Sequence, residues 1–555
     1  MLRRVWGLVP EPLKNTLRYV RNPSVVRKLQ NDYEEFRKET DWIVEALTRG
    51  ASASRGEVLI HSLHGYVTSL KQEFVFGALL THAGLRPVFV ARRNSILERY
   101  HRLVPGGRIV YWDDYFKAPG KEDRDLAREL CNGVSTVQEL IDLEHDGVAV
   151  GRNALSWLMR TSYKGHIEIP EDLAQVAVFI ADSLAASRAS RRVLEQESAE
   201  VVLMNERGYS PFGEFFDLAL MRGRRVVQFV ASHRDDANVF KRYETATRTE
   251  HPHALSDQTW QEAIAEPLPA DAADRLLAYW KGRYSSGEWF NFQRLQHGKR
   301  LYSPADAVKE LGIDPQRKTA VIFAHIFWDA TFFYGQSLYE DYQTWFVESV
   351  LLANKNPALN WLVKLHPVNV WRRELDGTQH SKYSEIAALE AAGIRLAPHV
   401  KLIMPETPMN TWTLFELSDY CVTVRGTVGV EMAALGKPVI VAGTGPYSPR
   451  GFTINPLSVK DYENTLAGIQ DIAPLSEEKR DLALRYARAL LERKPFDFQT
   501  FGMKYSRARD ADHVFNGRPF FSTHDAETLL GNDRAKAWVN WLVSGTNADC
   551  ILQHS

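Results

Sequence analysis

Residues 363–371 read Val-Lys-Leu-His-Pro-Val-Asn-Val-Trp. An apolar run ends there on two cationic side chains, Lys364 and His366, just before Pro367. Residues two apart on a strand face the same way. Both can therefore meet an anion at the strand end, Lys364 as a point charge and His366 as a donor to a phosphate or a partner of a leaving group. About sixty residues later comes Arg425-Gly426-Thr427-Val428-Gly429-Val430-Glu431, set between the runs 420–424 and 438–442. This reads as strand, glycine turn, helix, glycine stop, strand. Gly426 and Gly429 let a phosphate approach the backbone, and Thr427 stands where a helix start presents free N–H groups. Arg425 adds a charge-assisted bond. Glu431 follows Thr427 by one turn on the same face, within reach of sugar hydroxyls. The layout suits the phosphates and ribose of a nucleotide. Lys437 follows Gly436 at the helix exit, so this is neither a Walker A loop nor a GxGxxG turn. The plain alternative is a packing turn with Glu431 on a solvated face.

Other candidates fall at predicted strand ends. Gly443-Thr444-Gly445-Pro446-Tyr447 follows run 438–442 and offers Gly443 to phosphate or sugar, or serves as a structural loop. His325 ends run 319–324, with Asp329 close behind as a supporting partner or helix cap. In the first half, Glu206 follows run 200–204 and is a candidate base or nucleophile, against the plainer reading of an ion pair with Arg207 or Arg234. Glu214 belongs to the next helix. His233-Arg234-Asp235 lies at the same edge, and the loop carrying His64 and Tyr66 can contact an acceptor. No HExxH, spaced DxD or cysteine cluster marks a metal site.

The elements that must position these residues alternate between strand and helix. The first half starts with run 57–61, a helix at 71–83 and strand 87–90, a βαβ unit. Strand 108–111, helices over 120–195, strand 200–204, helix 213–221 and strand 225–230 follow. Residues 235–300 read as helical. Residues 301–317 read as a linker. The second half has strands at 319–324, 360–365, 394–396, 401–403, 420–424 and 438–442, with helices between. The expected fold is α/β: two Rossmann-like doubly wound parallel sheets facing across a cleft, with ligands at the C-terminal strand ends. The divisions expected are a basic amphipathic segment at 1–50, a first α/β domain with helical insertions at 51–310, a second at 311–495, and a tail at 496–555 packing back on the first.

Bulk composition narrows the class. The chain has 555 residues, too many for one core. Its formal net charge of -1 supplies no field for nucleic acid. Cys131, Cys421 and Cys550, widely spaced and odd in number, form no disulfide framework and fit a reducing compartment. No run approaches the ~18 apolar residues of a membrane span, and the N-terminus does not read as a signal peptide. Residues 1–28 carry Arg3, Arg4, Lys14, Arg18, Arg21, Arg27 and Lys28 against Glu11 alone. They either lie on an anionic membrane surface or form a helix packed on its own domain.

The stretch Lys364-Leu365-His366-Pro367, followed by Arg425 through Glu431 and Gly436-Lys437-Pro438-Val439, resembles the capsule polysaccharide biosynthesis family, which includes bacterial Kdo transferases. The match runs over residues 318–460 and covers the first half only in outline. The same motifs recur in teichoic-acid polymerases and nucleotide-sugar 2-epimerases. The resemblance implies a GT-B architecture and a metal-independent, cytoplasmic glycosyltransferase of cell-envelope glycan assembly, peripheral on the membrane where residues 1–28 engage it. Its substrates would be a nucleotide sugar such as CMP-Kdo and a glycan or glycolipid acceptor, with no cofactor. By that resemblance His366 and Lys364 contact the donor phosphate, Thr427 and Gly429 the phosphate region, and Glu431 the ribose. The first half binds the acceptor and supplies the catalytic carboxylate. A CDP-polyol phosphotransferase and a non-catalytic assembly scaffold are the rival readings.

Overall fold

The computed structural model describes residues 23–50, 54–94, 96–286, 296–329, 331–368, 383–505 and 517–551. Most of the basic segment, residues 1–22, lies outside this set, as do residues 369–371 of the opening stretch.

The first half is built on a seven-stranded sheet. In chain order its strands are β1 (Glu57–Ser62), β2 (Arg86–Ala91), β3 (Arg108–Tyr111), β4 (Val201–Met204), β5 (Arg225–Ala231), β6 (Ala237–Tyr243) and, from the C-terminal region, β12 (Phe496–Asp497). Spatial order is β12-β6-β5-β4-β1-β2-β3. β1 to β5 run parallel, β6 runs antiparallel to β5, and β12 pairs antiparallel with β6. Alternate residues leave opposite faces of a strand, and the sheet is covered on both. Leu59, Val88, Val202 and Met204 pack into one core, Val58, Ile60, Phe89 and Leu203 into the other.

The second half holds five parallel strands in the order β11-β10-β7-β8-β9: β7 (Thr319–Phe323), β8 (Asn360–Lys364), β9 (Val400–Ile403), β10 (Tyr420–Thr423) and β11 (Val439–Val441). Val321, Leu362 and Cys421 face one core, and Ile322, Trp361 and Val422 face the other. Two doubly wound units of Rossmann type in one chain make a GT-B-like α/β fold. All five strands of this sheet are parallel, so the loops after β7, β8, β9, β10 and β11 emerge at one edge.

Several elements differ from the sequence reading. β6 forms where residues 235–300 read as helical, because Val239, Phe240 and Tyr243 fill the core and buried Lys241 is neutralised there. Residues 394–396 form no strand. They lie in the turn after the helix Ser384–Ala391. The linker signals at Ser303-Pro304 and Gly312 instead bound a helix, Pro304–Leu311. Ser303 caps its start by accepting from the Asp306 amide at 3.2 Å, and Gly312 ends it at φ 59°. The helices Asp257–Ala265 and Ala272–Ser286 pack into a core of the second half through Trp260, Leu276, Trp280 and Tyr284, so the second unit begins well before residue 310. The helix Pro23–Arg49 is no separate segment: Leu29, Tyr33, Phe36 and Ile43 are buried in the first half.

The C-terminal region returns to the first half. Phe496, Phe498, Trp538 and Leu542 join its core. A buried charge network pins it: Asp549 meets Lys494 at 2.5 Å and Lys241 at 3.5 Å, and Lys241 also meets Glu250 at 2.9 Å. All three cysteines are buried and free. Among the described residues no helix is long and apolar enough to cross a membrane.

Candidate functional site

The loops after β7, β8, β10 and β11 gather His325, His366, Arg425 and Gly443 at the C-terminal edge of the second sheet. Register brings them together: Phe323 pairs with Lys364, Val422 with Ile322, and Thr423 with Val441.

Arg425 is the central cation. It is only 8% exposed, and its guanidinium lies over the Tyr342 ring at 5.5 Å. Nη2 donates to the Gln336 carbonyl at 3.3 Å and to Ser337 Oγ. Nε and Nη1 are buried with no hydrogen-bond partner among the described residues. Unpaired buried donors on a charged group are expensive, so this guanidinium is short of an anionic partner.

His325 orients that loop. Its Nε2 accepts from the amides of Val424 at 3.2 Å and Arg425 at 3.4 Å and lies 3.1 Å from Thr423 Oγ1, while the ring stacks on Tyr342. With Nε2 accepting, the proton sits on Nδ1. Burial, and then the Arg425 charge, push this imidazole down to about 3, so it is neutral. At His366, Nδ1 accepts from the Val368 amide at 3.1 Å, which leaves the proton on Nε2. Burial and then Lys364 push His366 down to about 4. Both histidines therefore serve as neutral N–H donors, not as the cations their types suggest.

Other expected residues take different places. Lys364 is buried, its Nζ donating to the Leu365 carbonyl at 2.9 Å, and burial brings it down to about 7. It is a weaker anion contact than the spacing of Lys364 and His366 suggests. Thr427 is exposed and caps nothing, and its helix, Val428–Ala434, has 7 residues. The Gly426 carbonyl accepts from the Tyr447 hydroxyl at 2.7 Å. Gly429 makes room for that same hydroxyl, which a Cβ would overlap, and not for a phosphate. Gly443 bridges to Ser337, and a Cβ there would stand 2.6 Å from the Gln336 carbonyl. Glu431 is turned inward: Tyr284 donates to it at 3.0 Å, and burial raises its carboxyl to about 8. A ribose cannot reach it while Tyr284 covers it.

In the first half, Glu206 Oε1 accepts from the amides of Arg207 at 2.7 Å and Gly208 at 3.0 Å, so it braces its own turn. Arg207 donates instead to Gln228 and to the carbonyls of Arg248 and Glu250. Glu214 is buried and accepts from Ser183 Oγ at 2.5 Å, with burial lifting it to about 7. His64 points inside, its Nε2 at 2.7 Å from Glu73, next to His101 and Ser62. This corrects its expected acceptor contact. Tyr66 stays 56% exposed. The interior His-Glu-His cluster was invisible in the sequence because its members are far apart along the chain.

The sequence also understated residues 324–341. This loop crosses to the first half, where Trp328 and Phe332 enter the core. Asp329 accepts from the Tyr209 hydroxyl and from Arg160, and the Gly335 amide donates to the Thr249 carbonyl at 2.8 Å. His166 meets Asp341 at 2.6 Å. His166, Glu340 and Asp341 are the group with metal-ligand potential among the described residues. The His166–Asp341 distance is that of a hydrogen bond, and Asp341 also caps the helix Tyr342–Lys355. A groove of about 250 Å³ lies at the opposite, N-terminal edge of the second sheet. Two of its polar side chains are already engaged there, Arg317 with Asp314 and His399 with the Ala353 carbonyl.

No protein-family model matches the chain, and no curated protein sequence does. Similar solved structures include a beta Kdo 2,4 transferase, KpsC of Thermosulfurimonas dismutans, at 15% identity and TM-score 0.31, covering 60% of this chain and 87% of that one. The beta Kdo 2,7 transferase of the same KpsC has 14% identity and TM-score 0.33, covering 60% and 85%. A UDP-GlcNAc 2-epimerase of Neisseria meningitidis bound to UDP-GlcNAc has 13% identity and TM-score 0.25, covering 78% and 97%.

Proposed function

We propose that this chain is a glycosyltransferase that moves a sugar from a nucleotide-activated donor to a cell-envelope glycan or glycolipid acceptor, as in capsule assembly. The observation that carries the reading is Arg425. A buried guanidinium with two nitrogens unpartnered among the described residues sits at the C-terminal edge of a parallel sheet. Arg425 would take the donor's phosphate through Nε and Nη1, a charge-assisted and fork-shaped contact. Nδ1 of His325 and Nε2 of His366 would add neutral N–H donors. As the sugar leaves, negative charge grows on the nucleotide phosphate, and these preorganised donors stabilise it without reorganising. The likeness of Lys364–Pro367 and Arg425–Glu431 to the capsule polysaccharide family favours the same donor class, CMP-Kdo included. The acceptor would enter from the first half past Tyr66, and residues 1–28 would hold the protein to an anionic membrane face inside the cell.

A thermal-shift panel of CMP, CDP, UDP and GDP tests this, because a ligand of the native state raises its melting temperature by mass action. One nucleotide should raise it saturably. A flat response to all four defeats the proposal.

A further inference from the structure

Asp329 stands where the two halves meet. Its loop leaves β7 in the second half, yet both donors to its Oδ1 belong to the first: the Tyr209 hydroxyl and the Arg160 guanidinium, 120 and 169 residues away in the chain. The Arg160 guanidinium also lies over the rings of Tyr209 at 5.5 Å and Trp328 at 5.3 Å. Burial works against the Arg160 charge, but Asp329 beside it more than restores it. The carboxylate is thus fixed from one side. The other side is open: the Asp329 side chain is 31% exposed, and the bonds from Arg160 and Tyr209 both land on Oδ1. Asp329 also lies close enough to act on the charge of the His366 ring and on Tyr342, beneath Arg425. Glu206 differs in kind, because its Oε1 is held by amides of its own turn. That turn in turn sets Tyr209, so Glu206 orders a residue that holds Asp329.

We propose that Asp329 is the general base of the transfer, supplied by the second half and held by the first. This rests on the glycosyl-transfer reading above. In the step, an acceptor hydroxyl oxygen forms a bond to the donor's anomeric carbon. The bond from that carbon to the phosphate oxygen breaks, and its electron pair leaves with the nucleotide phosphate on Arg425. The hydroxyl proton goes to Asp329 Oδ2. The base is in place only while the two halves are joined through Arg160 and Tyr209.

The test uses the full chain, with water standing in for the acceptor, and follows nucleotide release from CMP-, UDP- and GDP-sugars. Asp329→Asn keeps an oxygen for Tyr209 and Arg160 but cannot take a proton. It should lower kcat by about 100-fold or more while leaving KM and the nucleotide-induced thermal shift unchanged. Tyr209→Phe removes one holding bond and keeps the carboxylate, so it should lose less than about tenfold. A purely structural clip predicts the reverse order, with Asp329→Asn near wild type and Tyr209→Phe the more damaged, and that order overturns the proposal. Loss of the thermal shift in Asp329→Asn overturns it as well, since Asp329 would then hold the donor. A wild type that binds nucleotide but releases none also overturns it, because water reaches this carboxylate. If the wild type neither binds any nucleotide nor turns over any donor, the glycosyl-transfer reading itself fails, and this proposal falls with it.

Discussion

Replacing Arg425 with Met should weaken nucleotide binding while leaving the stability of the empty protein nearly unchanged. Met fills the space of the arginine stem. The change removes two bonds, to the Gln336 carbonyl and Ser337 Oγ, worth about 1.5–3 kcal/mol each because the donor is charged. It also removes two buried donors, Nε and Nη1, that have no partner, each costing about 1–3 kcal/mol while unsatisfied. The loss and the saving nearly cancel, so the ligand-free variant should melt close to the wild-type temperature. Nucleotide binding has no such offset. Two charge-assisted bonds to a phosphate are worth about 1.5–3 kcal/mol each. Losing both costs about 3–6 kcal/mol, which is two to four factors of ten in affinity. The assay is a pair of melting curves for each protein, without ligand and with the nucleotide that stabilises the wild type most. The rise should vanish in the variant at the same ligand concentration. A variant that melts several degrees lower when empty yet keeps the full nucleotide-induced rise would refute this account of Arg425.

Three further expectations follow from the same geometry. His366→Ala should abolish sugar transfer, by about 100-fold or more, with an unchanged circular dichroism spectrum; wild-type turnover would remove His366 from the site. Folded Glu431 holds its proton up to about pH 8, whereas the unfolded carboxyl releases it near about pH 4.3, so the contribution of Glu431 to wild-type stability should fall as pH rises through that window. Glu431→Gln does not titrate and should gain on the wild type over the same window in urea titrations, and a pH-independent difference between the two would contradict the buried neutral carboxyl. Asp549→Asn should cost about 3–5 kcal/mol, because it leaves buried Lys494 and Lys241 short of a counter-charge; a urea midpoint within about 0.5 kcal/mol of wild type would count against that network.

The parallel strands were legible because each is a short apolar run closed by glycine, proline or a charge, as at Val439–Val441 and Asn360–Lys364. β6 was hidden because its Lys241 and Arg242 look solvated, and only tertiary pairing with Glu250 and Asp549 neutralises Lys241. The Arg425 loop was found from local spacing alone. What surrounds it was not, since Gln336, Ser337 and Tyr342 lie more than 80 residues away. Helical periodicity gave the face of Glu431 but could not show that Tyr284, 147 residues distant, covers that face. Gly429 invited a phosphate reading because glycine leaves space, and the sequence does not say that Tyr447 fills it. Asp329 was the deepest case: its meaning comes from Arg160 and Tyr209, and no local pattern links them.

The most direct test of the central claim is a crystal structure of the chain with the nucleotide that the thermal-shift panel selects. The account predicts phosphate oxygens at about 3 Å from Arg425 Nε or Nη1, with the His366 ring at the same group. A phosphate found instead in the groove between Asp314 and Lys401 at the opposite sheet edge, with Arg425 still unengaged, would contradict it.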